Sequence, residues 1–155
     1  LEARSRDLIA AVAPINDRID TEGRLGLFGR TMGGTVCLNT AARVPADDVV
    51  TCAAPIRSNL SGHSSDMSRA TIVFDTSKLH FDITVGLSEL SNILIFHGET
   101  DDVVPVSHAA KIYQSARKPK KIIIQKQGDH RMSNLEHQKE FIREASSWFR
   151  QGLKR

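Results

Sequence analysis

The run from Arg24 to Ala42 constrains the fold most. A short apolar segment (Leu25, Leu27, Phe28) stops at Gly29. A glycine pair follows at Gly33 and Gly34, and then Val36, Leu38, Ala41 and Ala42 recur at helical spacing. That is a strand, a very tight turn and a helix. Strand and helix backbones must approach closely across so short a turn, so a Cβ at Gly29 or at Gly33 is expected to clash. The glycines flank one hydroxyl residue, Thr31.

The rest of the chain repeats the alternation. Four apolar runs read as strands, at 24–28, 49–54, 92–96 and 120–125. The run Val49-Val50-Thr51-Cys52-Ala53-Ala54 has no polar face, which suits a parallel strand covered on both sides. Between the strands lie helical patterns. Glu2 to Ala13 carries Leu8, Ile9 and Val12, with Pro14 expected to end or kink it. Ser107 to Ser115 turns Ala109, Ala110, Ile112 and Tyr113 inward. The last helix opens with Ser133 and Glu136 in a capping-box spacing, followed by an apolar stripe of Phe141, Ile142, Ala145, Trp148 and Phe149. The segment from Ile56 to Arg69 is rich in serine and has no period, so it reads as a loop. Alternating strands and helices imply a parallel sheet with right-handed crossovers and a site at the carboxyl ends of the strands.

Three segments, in order, resemble those of the α/β-hydrolases. Gly29-Arg30-Thr31-Met32-Gly33-Gly34 is similar to the family's nucleophile elbow, G-x-S-x-G-G, with threonine in place of serine. His97-Gly98-Glu99-Thr100-Asp101-Asp102-Val103-Val104-Pro105 resembles its acid loop, and Gly128-Asp129-His130 its histidine loop. The resemblance implies an α/β fold of about four parallel strands with helices on both faces. It covers nearly the whole chain but only the C-terminal half of the family's fold. Residues 1–155 then form a single domain lacking the family's N-terminal strands, with 56–69 as a loop or cap remnant. By the same analogy a short helix is expected near 79–90.

The chemistry follows from the residue types. A hydroxyl is a poor nucleophile near neutral pH, and it needs a base whose tautomer an acid holds. The resemblance assigns Thr31 as nucleophile, His130 as base and Asp101 as the orienting carboxylate. Asp102 and Glu99 are rivals for the acid, and the family's Gly-x-x-Asp-x-x-Val-Pro pattern selects Asp101. It also assigns the backbone N–H of Met32 to the oxyanion hole. The reaction implied is hydrolysis of a carboxylic ester or related acyl bond in a small-molecule substrate, with no cofactor. His63 and Met67 on the serine-rich loop are candidate substrate contacts, against a plain surface role.

Three departures argue for impairment. Threonine is β-branched, and the elbow residue sits at positive φ, where such a side chain is an outlier. The second oxyanion donor belongs to the half of the fold that this chain lacks. The strand at 24–28 loses a flanking neighbour, and an open apolar edge invites self-association. An alternative is therefore a non-catalytic remnant that serves as a binding or assembly module. A flavodoxin-like binding domain fits the alternation but leaves the loops of Asp101 and His130 unexplained.

Composition excludes other classes. The formal charge of +3 is small and evenly scattered, which argues against a nucleic-acid partner. No apolar run approaches the ~18 residues of a membrane span. Leu1-Glu2-Ala3-Arg4-Ser5-Arg6 is not a signal peptide, and Leu1 is not an initiator methionine, so a processed product or a fragment is expected. Cys37 and Cys52 read as small core residues, in keeping with a reducing, cytoplasmic setting. His63, His80, His108 and His137 have no ligand spacing, so no metal site is expected. Gly33-Gly34-Thr35 lacks the lysine of a P-loop.

Overall fold

Among the described residues, the two most apolar runs form the middle of a four-stranded parallel sheet. The computed structural model describes residues 1–18, 24–44, 46–58 and 80–152. Its strands are β1 (Gly26–Arg30), β2 (Asp48–Cys52), β3 (Ile93–Gly98) and β4 (Lys120–Gln125), in spatial order β1-β2-β3-β4. All three pairings are parallel, with Gly29 opposite Thr51, Cys52 opposite Phe96 and His97 opposite Ile124. Every residue of β2 and β3 is buried. β1 alternates between exposed and buried, as a strand at the sheet's edge does. It reaches Arg30, two residues past its expected end, and β2 stops at Cys52, where Ala53 turns to φ 51°.

The helices are α1 (Glu2–Arg18), α2 (Met32–Ala41), α3 (Ser107–Ser115) and α4 (Leu135–Gly152), with a 3₁₀ turn at Thr84–Glu89. Alternate strand residues feed opposite faces. Val49, Ile93 and Ile95 pack with Leu38 of α2 and with Ala109 and Ile112 of α3. Val50, Cys52, Leu94 and Phe96 pack with Phe141, Ala145, Trp148 and Phe149 of α4. Val12 of α1 joins Leu27 and Cys37 in a third, smaller cluster. Cys37 and Cys52 are free and buried, as expected of core residues.

Several local expectations need correction. α1 continues through Pro14, which is exposed, so the carbonyl left without a donor can face water. Ile142 is 62% exposed and lies off the buried stripe of α4. In α3 Tyr113 faces outward, and His108 takes the inward position beside Ala109 and Ile112. α4 is capped one residue later than the Ser133–Glu136 box predicts. Asn134 Oδ1 accepts the Glu136 N–H at 2.8 Å, while the Ser133 N–H goes to Asp129. The helix expected near 79–90 is present as the shorter 3₁₀ turn, with Leu87 buried. Most of the 56–69 loop, His63 and Met67 included, lies outside the described residues. Among those residues no helix is long and apolar enough to cross a membrane.

Candidate active site

The turn after β1 is tight because two glycines permit it. A Cβ on Gly29 would lie 2.4 Å from the Gly33 carbonyl carbon and oxygen, and one on Gly34 would lie 2.7 Å from the Ala54 Cβ. Gly33, expected to clash, has nothing within 4 Å of its Cβ position. It points away from the strand, and Gly34 is the glycine pressed into the sheet. Thr31 sits at the tip with φ 48° and ψ −125°. Its N–H donates to the Cys52 carbonyl at 2.9 Å, and its own carbonyl accepts the Thr35 N–H at 3.2 Å. Met32 follows in the first turn of α2, where backbone N–H groups have no acceptor within the helix.

The loops after β3 and β4 are pressed together by a second pair of glycines. A Cβ on Gly98 would meet the Gly128 carbonyl oxygen at 2.3 Å, and one on Gly128 would come within 3.0 Å of Gly98 Cα. The Thr100 N–H donates to that same Gly128 carbonyl at 3.0 Å. This contact brings the acid loop against the histidine loop.

The structure brings three of the sequence-selected side chains together. Thr31 Oγ1 lies 3.0 Å from His130 Nε2. His130 Nδ1 lies 3.0 and 2.9 Å from the two carboxylate oxygens of Asp101. An ionised carboxylate only accepts, so Nδ1 carries the imidazole proton and Nε2 is left to accept from the Thr31 hydroxyl. The rivals lie elsewhere: Asp102 is exposed, and Glu99 Oε2 accepts the Gln127 N–H.

Asp101 is enclosed by donors. Burial alone would raise its pKa. The hydrogen bonds from His130, His97 and the Val104 and Val103 N–H groups outweigh that and hold the carboxyl well below the usual carboxylate range. Oδ1 accepts the Val103 and Val104 N–H groups at 2.9 and 2.7 Å. The Asp101 side chain is fully buried, and the imidazole of His130 is largely so. Burial also raises both thiols, Cys37 to about 11, so neither is a ready nucleophile.

Two contacts at the site carry no signal in the sequence. Arg30 Nη2 donates to the His130 carbonyl at 3.1 Å, tying β1 to a loop 100 residues away. His97 approaches Asp101 from the end of β3. A cavity of about 320 Å³ opens beside the turn, lined by Arg30, Arg131, Met132, Gln138, Phe141 and Ile142; the three clustered side chains do not line it. Among the described residues no group of His, Cys, Asp and Glu could hold a metal ion.

Residues 2–155 match the model of the prolyl oligopeptidase family. The Escherichia coli K12 protein YfhR, itself uncharacterised, is 26% identical over 129 residues. That alignment takes in 80% of this chain but 44% of YfhR, so the chain spans under half the length of this curated relative. Among solved structures, an esterase domain from Rhodothermus marinus superposes with a TM-score of 0.72 at 24% identity, over 95% of this chain and 68% of that one. A sugar hydrolase from Lactococcus lactis gives 0.72 at 19% identity, over 97% and 68%. These likenesses identify the sheet as part of an α/β-hydrolase fold.

Proposed function

The chain belongs to the prolyl oligopeptidase family, within the α/β-hydrolases, and from that premise we propose that it carries an acyl-hydrolase site built on Thr31, His130 and Asp101. The supporting observation is the unbroken run of contacts from hydroxyl to imidazole to carboxylate, at 3.0 and 2.9 Å. The substrate class is a small carboxylic ester or related acyl compound. Thr31 Oγ1 attacks the acyl carbonyl while His130 Nε2 takes its proton, and Asp101 steadies the imidazolium that forms. The oxyanion is met by the Met32 N–H. Collapse expels the leaving group, which takes the proton from Nε2. Water then gives a proton to His130 Nε2 and attacks the acyl carbon; the bond to Thr31 Oγ1 breaks, that oxygen takes the proton back from Nε2, and the acid is released.

Turnover by this site is slow. A β-branched residue at φ 48° carries strain on the order of 1–3 kcal/mol, and its methyl crowds the path of attack. In this reading residues 1–155 act as one domain.

A second reading, a non-catalytic binding or assembly module, is favoured by the same threonine and by the exposed Phe28 on the open edge of β1. Hydrolysis of a p-nitrophenyl acetate series separates the two. Weak activity is expected from the chain, none above background from Thr31→Ala, and about a tenfold or greater gain from Thr31→Ser as strain is relieved. A folded Thr31→Ser protein with no activity above Thr31→Ala would favour the module.

A further inference from the structure

β3 is covered on both faces, so its residues should be apolar, and Ile93 to Phe96 are. His97 breaks the pattern. It is 1% exposed, and a buried imidazole is costly unless its polar atoms are used. Nε2 lies 2.8 Å from the Val104 carbonyl oxygen and 3.3 Å from Asp101 Oδ2. A carbonyl only accepts, so the His97 proton is on Nε2 and is shared between those two oxygens. Nδ1 has no hydrogen-bond partner among the described residues. The polar contacts of this ring are thus directed at one carboxylate and the loop that bears it.

The arrangement closes a ring. The Val103 and Val104 N–H groups hold Asp101 Oδ1, and His97 holds the Val104 carbonyl together with Oδ2. Without His97, Oδ2 has only His130 as a donor, and the carboxylate can turn about the bond that carries it. We propose that His97 is a positioning residue for the Asp101–His130 pair, its Nε2–H fixing the plane of the carboxylate so that it receives His130 Nδ1–H. The inference rests on the roles given to Asp101 and His130 above. Other titratable or charged groups surround the pair. His108 on α3 accepts the Ile56 N–H at its Nδ1, Arg57 lies near His108, and Cys52 on β2 lies beside Arg30. The closing measurement therefore follows a tautomer at fixed pH rather than a titration.

Nitrogen-15 spectra of the imidazoles in the full chain report which ring nitrogen carries the proton, with no need for turnover. In the wild type His97 is Nε2–H and His130 is Nδ1–H. His97→Phe fills the space without a donor, and His97→Asn keeps an amide too short to reach. In either variant the Nε2–H form of His130 rises about tenfold relative to Nδ1–H, as expected for loss of one hydrogen bond to a charged group. His97→Gln, whose amide nitrogen sits as many bonds from Cα as Nε2 does, restores the wild-type ratio. Folded Phe and Asn variants with an unchanged ratio, or a Gln variant that behaves like Phe, would overturn the inference and leave the hydrolase reading standing. A wild-type His97 protonated at Nδ1 would do the same without any variant. A wild-type His130 lacking the Nδ1–H form would overturn the pair itself and this inference with it.

Discussion

Thr31 and Asp101 are opposite kinds of residue at one site: one strained and partly exposed, the other buried and heavily hydrogen-bonded. For Asp101 the consequence is a dependence of stability on pH. Its folded pKa lies below the unfolded value, so the group contributes stability that is present above about pH 4 and lost as pH falls further. Urea melts between pH 6 and pH 3 should show a steep loss in the wild type and a shallower one in Asp101→Asn. Glu2, Asp82, Asp129 and Glu144 also have lowered pKa values, but the first three are exposed and Glu144 is only partly covered, so solvent screens their share. The proximity of Thr31, Asp101 and His130 was legible in sequence because each follows an apolar strand, and parallel strands deliver such residues to one rim. Arg30 and His97 were not legible. In the sequence Arg30 is only an unspecified position of the Gly29–Gly34 turn and His97 only the residue before Gly98 in the acid loop; the His130 carbonyl and Asp101 come beside them through the fold.

Elements meet here through glycines, and the glycines differ in kind. Gly29→Ala drives a Cβ into the Gly33 backbone and should cost about 3 kcal/mol in urea unfolding. Gly33→Ala meets open space inside a helix and should be neutral, or stabilise by about 0.5–1 kcal/mol. The sequence pattern marks both positions alike; only the direction in which each would project a Cβ separates them. Asn134→Ala should cost about 1 kcal/mol through loss of the cap of α4. Ser133 and Asn134 are both good caps, and the choice turns on Asp129, which takes the Ser133 N–H. Strand identity was readable from apolar runs, but strand ends were not. Ends are set by backbone events such as the positive φ of Thr31 and Ala53, which residue type does not announce.

At the scale of the whole molecule both faces of the sheet's middle are packed, and the contrast lies between that middle and the edge at β1. α4 covers β2 and β3, while β1 lies at the sheet's edge with Phe28 half-exposed against Phe141. We expect the chain to self-associate through the edge at 24–28, with a sedimentation-derived mass that rises with concentration, and Phe28→Lys to hold it monomeric. A wild type that stays monomeric at high concentration would remove that expectation without touching the site. The central claim is that residues 31, 101 and 130, far apart in sequence, act as one chemical unit. Its most direct measurement is mass-spectrometric mapping of a fluorophosphonate adduct on Thr31→Ser, with and without His130→Ala. The account predicts an adduct on residue 31 that is lost with the imidazole. No adduct on a folded Thr31→Ser protein, or one that forms equally well without His130, would contradict it.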